Sequence, residues 1–426
     1  MFTEFRFSDA SAKDTSDVID RAMKGEVFVI RDALQHFGLL QPLIDAAYEG
    51  VRKSVGADAA TRAKTDGFNH IHEWVEPTKI PAMTEAVYDE VRPLAPAFLR
   101  KFVGQAFPEA DTLYYEETPN VRFHIPYDLA AAHNAEFREF AKDYGEGKIA
   151  AHGPHRDSWL DCPDNGVNMW FAVAPIRTGN GLTVYEQDYG RDFKHKWGGD
   201  VADGQKLHKP YTFDLNPGDC VLFHTDQMHG SELNRTDETR FAISFRMSFG
   251  KPNFPNRHFH RYVNANMAES PMRALAHVPA MVQPSYPRSM VRRIREKLGG
   301  PAPADKPVTA PEMIGVERDG KFHVALADVA IGEVRGVSPA LCVARFADGE
   351  VIAVTRRCPH SGGDIANGWV DGDAVVCPWH NLPFNGKTGR SPCNSLPALR
   401  RVKCEIVGGE IVIDPKKQLT AEPELA

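Results

Sequence analysis

Four residues in the last quarter of this 426-residue chain are of types that bind transition metals. Cys358 and His360 stand in Cys358-Pro359-His360, and Cys377 and His380 in Cys377-Pro378-Trp379-His380. Two thiolates and two imidazoles serve either one tetrahedral zinc, or a [2Fe–2S] cluster in which one iron takes both cysteines and the other both histidines. Zinc ribbons usually pair like with like, as C-x2-C or H-x3-5-H, whereas here each pair mixes one Cys with one His, and sixteen residues separate the pairs. A second metal-binding set lies upstream. His155 and Asp157 are two residues apart, so on a strand they project from one face. A distant His229 completes a 2-His-1-carboxylate set, which covers one face of an octahedral iron(II) and leaves three positions for a bidentate co-substrate and dioxygen. Arg240, eleven residues after His229, opens the β-type run Arg240-Phe-Ala-Ile-Ser-Phe245, from which a guanidinium can grip a carboxylate bidentately. His152 and His224 lie close by in sequence but keep neither the spacing to Asp157 nor that to Arg240.

These residues need elements to position them. Val27-Phe-Val-Ile30 is a β-branched run, preceded by a short helix capped by Thr15 or Ser16 and stopped by Gly25. Helical periods occupy about Leu39 to Val55 and Thr84 to Gln105. From Thr112 to about Gly250 short strands alternate with Gly, Pro and Asn, the texture of an antiparallel double sheet such as a jelly roll. A basic helix over Arg288 to Leu298 and a semi-stiff Pro301–Pro307 linker follow, the latter able to let a C-terminal domain swing. Alternation over Val343–Val354 with a turn at Asp348-Gly349, and further turns at Asp371-Gly372 and Gly408-Gly409, predict a small antiparallel β domain. The expected fold class is mainly β with flanking helices, divided at 1–268, 269–311, 312–414 and a polar tail at 415–426.

Composition narrows the function. The residues are 42% hydrophobic and 25% charged with a net charge of −7, a profile of a globular protein with no basic surplus for nucleic acid or anionic membranes. No apolar run reaches membrane-helix length, and Met1-Phe2-Thr3-Glu4 opens no signal peptide. Of seven cysteines, the five outside the metal pairs (Cys162, Cys220, Cys342, Cys393, Cys404) form no disulfide framework, so a reducing cytoplasm is expected.

From Ile314 to Asp414 the chain resembles the Rieske family, in its two Cys–His pairs, their sixteen-residue gap and the surrounding hairpins. That resemblance implies a [2Fe–2S] cluster on two loops, held by Cys358, His360, Cys377 and His380. Respiratory members carry an extra cysteine in each loop; here those places hold Gly363 and Trp379, which implies the ferredoxin or oxygenase-component type. Trp379, between two ligand positions, is expected to shield the cluster from water, and Cys393 to be a buried small hydrophobe.

Residues 15 to 265, most clearly His152 to Arg246, resemble the phytanoyl-CoA-dioxygenase-like branch of the iron(II)/2-oxoglutarate oxygenases. The His155-Arg-Asp157 motif, Pro217-Gly-Asp ahead of His229-Gly-Ser231, Arg240-x-x-x-Ser244, and Trp170 ahead of Asn180-Gly181 carry the likeness. It implies iron(II) on His155, Asp157 and His229, and 2-oxoglutarate held by Arg240 and Ser231 with Ser244 and Trp170 beside it. The family's lysine has no clear match, although Arg122 lies on a nearby strand. The retained Asp157 argues against halogenation, so hydroxylation of a small molecule by dioxygen is the default outcome, with succinate and carbon dioxide released. That chemistry is electron-complete, which leaves the cluster's part open: restoring stray iron(III) to iron(II), or feeding the productive cycle. Either way an external ferredoxin or reductase is expected as donor. The competing readings are a Rieske-driven mononuclear iron oxygenase and an electron carrier or sensor on an inactive oxygenase fold.

Overall fold

The computed structural model describes residues 2–9, 15, 17–108, 110, 112–137, 151–160, 162–195, 199–254, 262–266 and 313–419. Its N-terminal part is built on an eight-stranded sheet. The strands are β1 (Phe2–Arg6), β2 (Val27–Arg31), β3 (Leu113–Glu116), β4 (Asn120–His124), β5 (Gly166–Ala172), β8 (Cys220–His224), β10 (Arg240–Phe249) and β11 (Tyr262–Asn264). They run in the order β1-β2-β8-β5-β10-β3-β11, with β4 also paired to β10. Apart from the parallel β1/β2 pair, the ladders are antiparallel. A separate three-stranded sheet runs β7-β6-β9, from β6 (Leu182–Val184), β7 (Tyr211–Thr212) and β9 (His229–Ser231).

Strand β10 shows how the sequence assigns the two faces of the large sheet. Phe241, Ile243, Phe245 and Met247 point to one side, into a core shared with Phe123, Phe171 and Leu222 and covered by helices Leu40–Ser54, Ile80–Val91 and Ala95–Ala106. Arg240, Ala242, Ser244 and Arg246 point to the other. Their cross-strand partners His124, Arg122 and Asn120 on β4, and Ala172, Trp170 and Asn168 on β5, share that face. The helical cover is close: a Cβ on Gly50 would sit 2.5 Å from the Val87 Cα, so glycine lets those two helices cross in contact.

The chain is thus mainly β with helices, as expected, but several details differ. The period over Thr84–Gln105 is two helices, Ile80–Val91 and Ala95–Ala106, interrupted by a 3-10 turn at Arg92–Leu94, because Pro93 cannot supply an amide to a continuous helix. An additional helix occupies Ala57–Asp66. In the short first helix, Val18–Ala22, Asp17 rather than Thr15 or Ser16 stands at the N-cap. The expected helix at Arg288–Leu298 and the Pro301–Pro307 linker fall outside the described residues.

The C-terminal part is a curled antiparallel sheet, β12 (Val316–Arg318), β13 (Lys321–Ala325), β14 (Val334–Gly336), β15 (Leu341–Arg345), β16 (Val351–Thr355), β20 (Arg401–Val407) and β21 (Glu410–Leu419). Its order is β12-β13-β21-β20-β16-β15-β14, and a second sheet of β17 (Trp369–Asp371), β18 (Ala374–Cys377) and β19 (Leu382–Asn385) sits beside it. The three expected turns are present, with Gly349, Gly372, Gly408 and Gly409 all at positive φ. Strand β21 continues five residues into the expected polar tail, because Gln418 and Leu419 pair with Val402 and Arg401 beyond a bulge.

The two parts dock against each other. Leu233 packs into the C-terminal core beside Cys358, Cys377 and Leu382. The Lys206 ammonium donates to the carbonyls of Val334 (3.0 Å) and Gly368 (2.5 Å). Tyr185 donates to the Pro378 carbonyl, and the Leu233 amide to that of His380 (3.1 Å). Asn381 donates to Glu232 (3.0 Å), and Asp128 receives the amides of Asn394 and Ser395.

Candidate metal centres

His155, Asp157 and His229 converge, with ligand atoms within 4.8 Å of one another, and all three are buried. The expected route to this geometry is corrected. His155 forms an isolated bridge with His229, but Asp157 begins a 3-10 turn, Asp157–Leu160, rather than continuing a strand. That turn, not strand alternation, brings the carboxylate under the imidazoles: His155 Nε2 and His229 Nε2 lie 3.9 and 3.8 Å from Asp157 Oδ1. His155 Nδ1 lies 2.8 Å from the Gly153 carbonyl and His229 Nδ1 2.9 Å from that of Gln227. A carbonyl only accepts, so both Nδ1 atoms carry protons and both Nε2 lone pairs face Asp157. Such outward carbonyl bonds are how metal-binding histidines are usually oriented.

Electrostatics favour a cation there. Burial opposes ionisation of Asp157, yet Arg246, His229, His155 and the Asn168 amide outweigh it and hold the carboxyl well below its ordinary value. Arg246 donates to Oδ1 at 2.7 Å and Asn168 to Oδ2 at 2.9 Å. Burial, then the neighbouring His229, lowers His155 to about 4, so its imidazole is neutral and free to ligate at neutral pH. Neither Arg246 nor Asn168 was singled out by the sequence reading. Arg246 was within reach of it, since it repeats the Arg240/Ser244 face; Asn168 is recognisable only once β5 is placed beside β10.

Beside the triad, β10 and β5 bring Arg240, Ser244 and Trp170 to one face, with Ser244 directly opposite Trp170 and the Arg240 guanidinium 5.8 Å from the indole centroid. Ser231 is two residues beyond His229 on β9. Arg240 donates to the Asn180 and Gly181 carbonyls, and its buried Nε has no partner. Burial and Arg122 lower Arg240 to about 9; burial and Arg246 lower Arg122 to about 10. Of the three guanidiniums on that face, Arg246 is paired with Asp157 and Glu116, whereas Arg240 has Glu232 nearby, itself paired with Arg235, and Arg122 donates to the Asn120 side chain, so Arg240 and Arg122 are left to attract an anionic ligand. His152 stays outside the triad, its ring 5.3 Å from that of His155. His224 turns away and accepts from the Asp226 amide.

The C-terminal quartet forms two pairs. His360 and His380 approach through Nδ1 at 3.2 Å, and Cys358 and Cys377 lie within hydrogen-bonding reach as free thiols. Zinc–ligand bonds of about 2.0–2.3 Å would bring all four donors within about 4 Å of one another. Among the described residues only the His155/Asp157/His229 group closes even to 4.8 Å. The four donors lie as one His–His pair and one Cys–Cys pair, the arrangement in which a two-iron cluster is held. His380 Nε2 donates to the Ala151 carbonyl at 3.1 Å, which frees its Nδ1. Burial lowers His360 to about 4; burial and then His360 lower His380 to about 3. The Arg356–Asp364 pair, bidentate at 2.9 Å and buried, braces the first loop. A Cβ on Gly363 would lie 2.8 Å from Trp379 and 3.1 Å from Cys377 Sγ, so the indole fills the space where another Rieske loop keeps a cysteine. Cys393 is buried in the same core.

Comparisons with known proteins match two separate stretches of the chain. Residues 63–242 match the family model of phytanoyl-CoA dioxygenase, and residues 319–405 that of the Rieske [2Fe-2S] domain. The 3-phenylpropionate/cinnamic acid dioxygenase ferredoxin subunit of Escherichia coli is 36% identical over 98 residues, 22% of this chain and 91% of that protein. A chain in the complex of reduced oxygenase and oxidised ferredoxin of carbazole 1,9a-dioxygenase is 30% identical, covering 24% of this chain and 99% of its own, with a TM-score of 0.22. A non-haem alpha-ketoglutarate-dependent epimerase from nogalamycin biosynthesis is 14% identical, covering 54% and 81%, with a TM-score of 0.28. No described helix is long and apolar enough to cross a membrane. With its paired cysteines and histidines behind a buried His-Asp-His triad, the chain belongs to the Rieske [2Fe–2S] family through its C-terminal domain, and the part ahead of it matches the phytanoyl-CoA dioxygenase model.

Proposed function

We propose that this iron oxygenase depends on 2-oxoglutarate and oxidises, most simply hydroxylates, a C–H bond of a small molecule. In this reading residues 1–268 are the oxygenase domain, its two sheets a distorted jelly roll; 269–311 connect, 312–414 hold the cluster, and the chain ends in a polar tail. His155, Asp157 and His229 hold iron(II); Cys358, His360, Cys377 and His380 hold the cluster. The observation that carries the reading is the cationic face beside the triad, where Arg240 keeps an unpartnered buried Nε next to Trp170 and Ser244.

Each side chain has a task. Arg240 and Ser231 bind the distal carboxylate of 2-oxoglutarate, and Trp170 and Ser244 bound its chain. Asn168 and Arg246 keep the Asp157 carboxylate oriented and ionised. The carbonyls of Gly153 and Gln227 fix the imidazoles in the ligating tautomer. Bound there, iron(II) with 2-oxoglutarate and dioxygen supplies an oxidant that removes a hydrogen atom from the substrate, with succinate and carbon dioxide as co-products. A cluster held by Cys358, His360, Cys377 and His380 would supply electrons, received from an external ferredoxin or reductase, to return oxidised iron at His155, Asp157 and His229 to the ferrous state. The close docking of the two domains supports that role.

The test is release of succinate from 2-oxoglutarate over a metabolite panel, with about three irons and two acid-labile sulfides per loaded chain. Zinc without sulfide, or turnover indifferent to 2-oxoglutarate, overturns the reading. A single-turnover experiment with cluster-free protein then distinguishes repair from participation: product formed once without the cluster means repair.

A further inference from the structure

One short stretch of backbone touches both metal sites. The Ala151 carbonyl accepts from His380 Nε2 at 3.1 Å, and the Gly153 carbonyl, two residues on, accepts from His155 Nδ1 at 2.8 Å. His380 belongs to the histidine pair of the cluster, His155 to the mononuclear triad. Each ring has its other nitrogen turned toward its own centre. The two hydrogen-bonded nitrogens are therefore no more than about 14 Å apart, since two residue steps cover at most about 7–8 Å.

The stretch is held rigidly. The His152 carbonyl between them accepts the Ser231 amide at 2.9 Å, and the His155 and His229 backbones exchange two bonds at 2.9 Å. Residues 152–155 thus run alongside β9, bonded to it at His152 and His155. On the cluster side Trp379 closes over Gly153, 3.7 Å from where a Cβ would stand. Leu233, Tyr185 and Lys206 fasten the two domains around this contact.

We propose that Ala151-His152-Gly153 is a fixed electron bridge between the two centres. The inference rests on the proposed role of the cluster as reductant of the mononuclear iron, and replaces a swinging domain with a docked one. One electron leaves the reduced cluster, one ferrous and one ferric iron, and passes through His380, the Ala151–Gly153 backbone and His155 to ferric mononuclear iron. The products are the fully ferric cluster and ferrous iron. An external one-electron donor protein of the ferredoxin or flavoprotein class recharges the cluster.

The experiment uses the full-length protein with both sites loaded and the mononuclear iron ferric. A laser flash with deazaflavin places one electron on the cluster anaerobically. Recovery of the cluster's visible absorbance is followed together with loss of the ferric EPR signal. Recovery should be first-order and independent of protein concentration. Gly153→Val places a stiff, β-branched side chain against Trp379 and should slow it at least tenfold. The second measurement is pulsed EPR of the reduced cluster in H2O and D2O. It should detect an exchangeable proton on a ligating histidine whose coupling changes in Gly153→Val, a variant that still shows the cluster signal and so is folded. Recovery that scales with protein concentration, or that Gly153→Val leaves unchanged, refutes the bridge while cluster-to-iron electron supply stands. No transfer at all in the doubly loaded wild type, with the exchangeable proton present, refutes electron supply itself and the bridge with it.

Discussion

The mononuclear pocket and the cluster loops both hold metal with histidines, yet they are assembled differently. His155, Asp157 and His229 span 75 residues and meet only because β9, a 3-10 turn and the polar face of a large sheet are brought together. Their orientation depends on side chains from other strands, Asn168 and Arg246. The cluster ligands come from 23 consecutive residues, and their loops are braced from within by Arg356–Asp364 and by Gly363 beneath Trp379. A pocket spread over a sheet is tuned by distant charges, whereas a loop site is set by its own turns. Substitutions should therefore propagate across the first and remain local in the second.

The largest effect should come from changing Cys358 and Cys377 together to Ser. Acid-labile sulfide should fall to background while one iron per chain remains at the triad, measured by metal and sulfide analysis; simultaneous loss of both metals would mean the centres are not separable. Next is Arg246→Met. It removes the cation facing a buried Asp157, and breaking a buried pair costs about 3–5 kcal/mol. Because the folded carboxyl sits well below its unfolded value, its stabilisation is complete above about pH 5 and is lost as pH falls below about 4. The metal-free variant should lose that acid-labile component in denaturant titrations at several pH values, and iron(II) should restore much of the stability.

Arg240→Ala removes a charge-assisted bond to a dianion worth about 1.5–3 kcal/mol. Affinity for 2-oxoglutarate, followed by titration, should fall roughly ten- to a hundredfold with iron content intact. The smallest effect is expected from Lys206→Ala, which leaves the Val334 and Gly368 carbonyls without their donor, a loss of about 1 kcal/mol. Hydrogen exchange should quicken at Val334–Gly336 and around Gly368 and not in β10. Faster exchange in β10 as well would show that the loop site is not local after all.

The cluster loops were legible because their ligands, turns and alternation lie in one short stretch, and the structure reproduces all three turns. The triad was legible by residue type but misread in geometry, since His-x-Asp looks the same on a strand and on a 3-10 turn. The joint between the domains had no sequence signal. Many of its acceptors are backbone carbonyls, those of Val334, Gly368, Pro378, His380 and Ala151, a group that every residue type carries. Pro93, by contrast, was visible in the sequence; the helical period on either side of it is strong enough to hide the break.

Leu233 belongs to one domain by chain order and to the other by packing. If recombination separated the two halves into different genes, one product would carry a naked aliphatic knob and the other an unfilled socket beside Cys358, Cys377 and Leu382. The knob alone would be an ordinary exposed leucine, but the socket would open part of the C-terminal core to water. The join therefore weighs more on the C-terminal half, which would need another side chain in that place before it could be inherited alone.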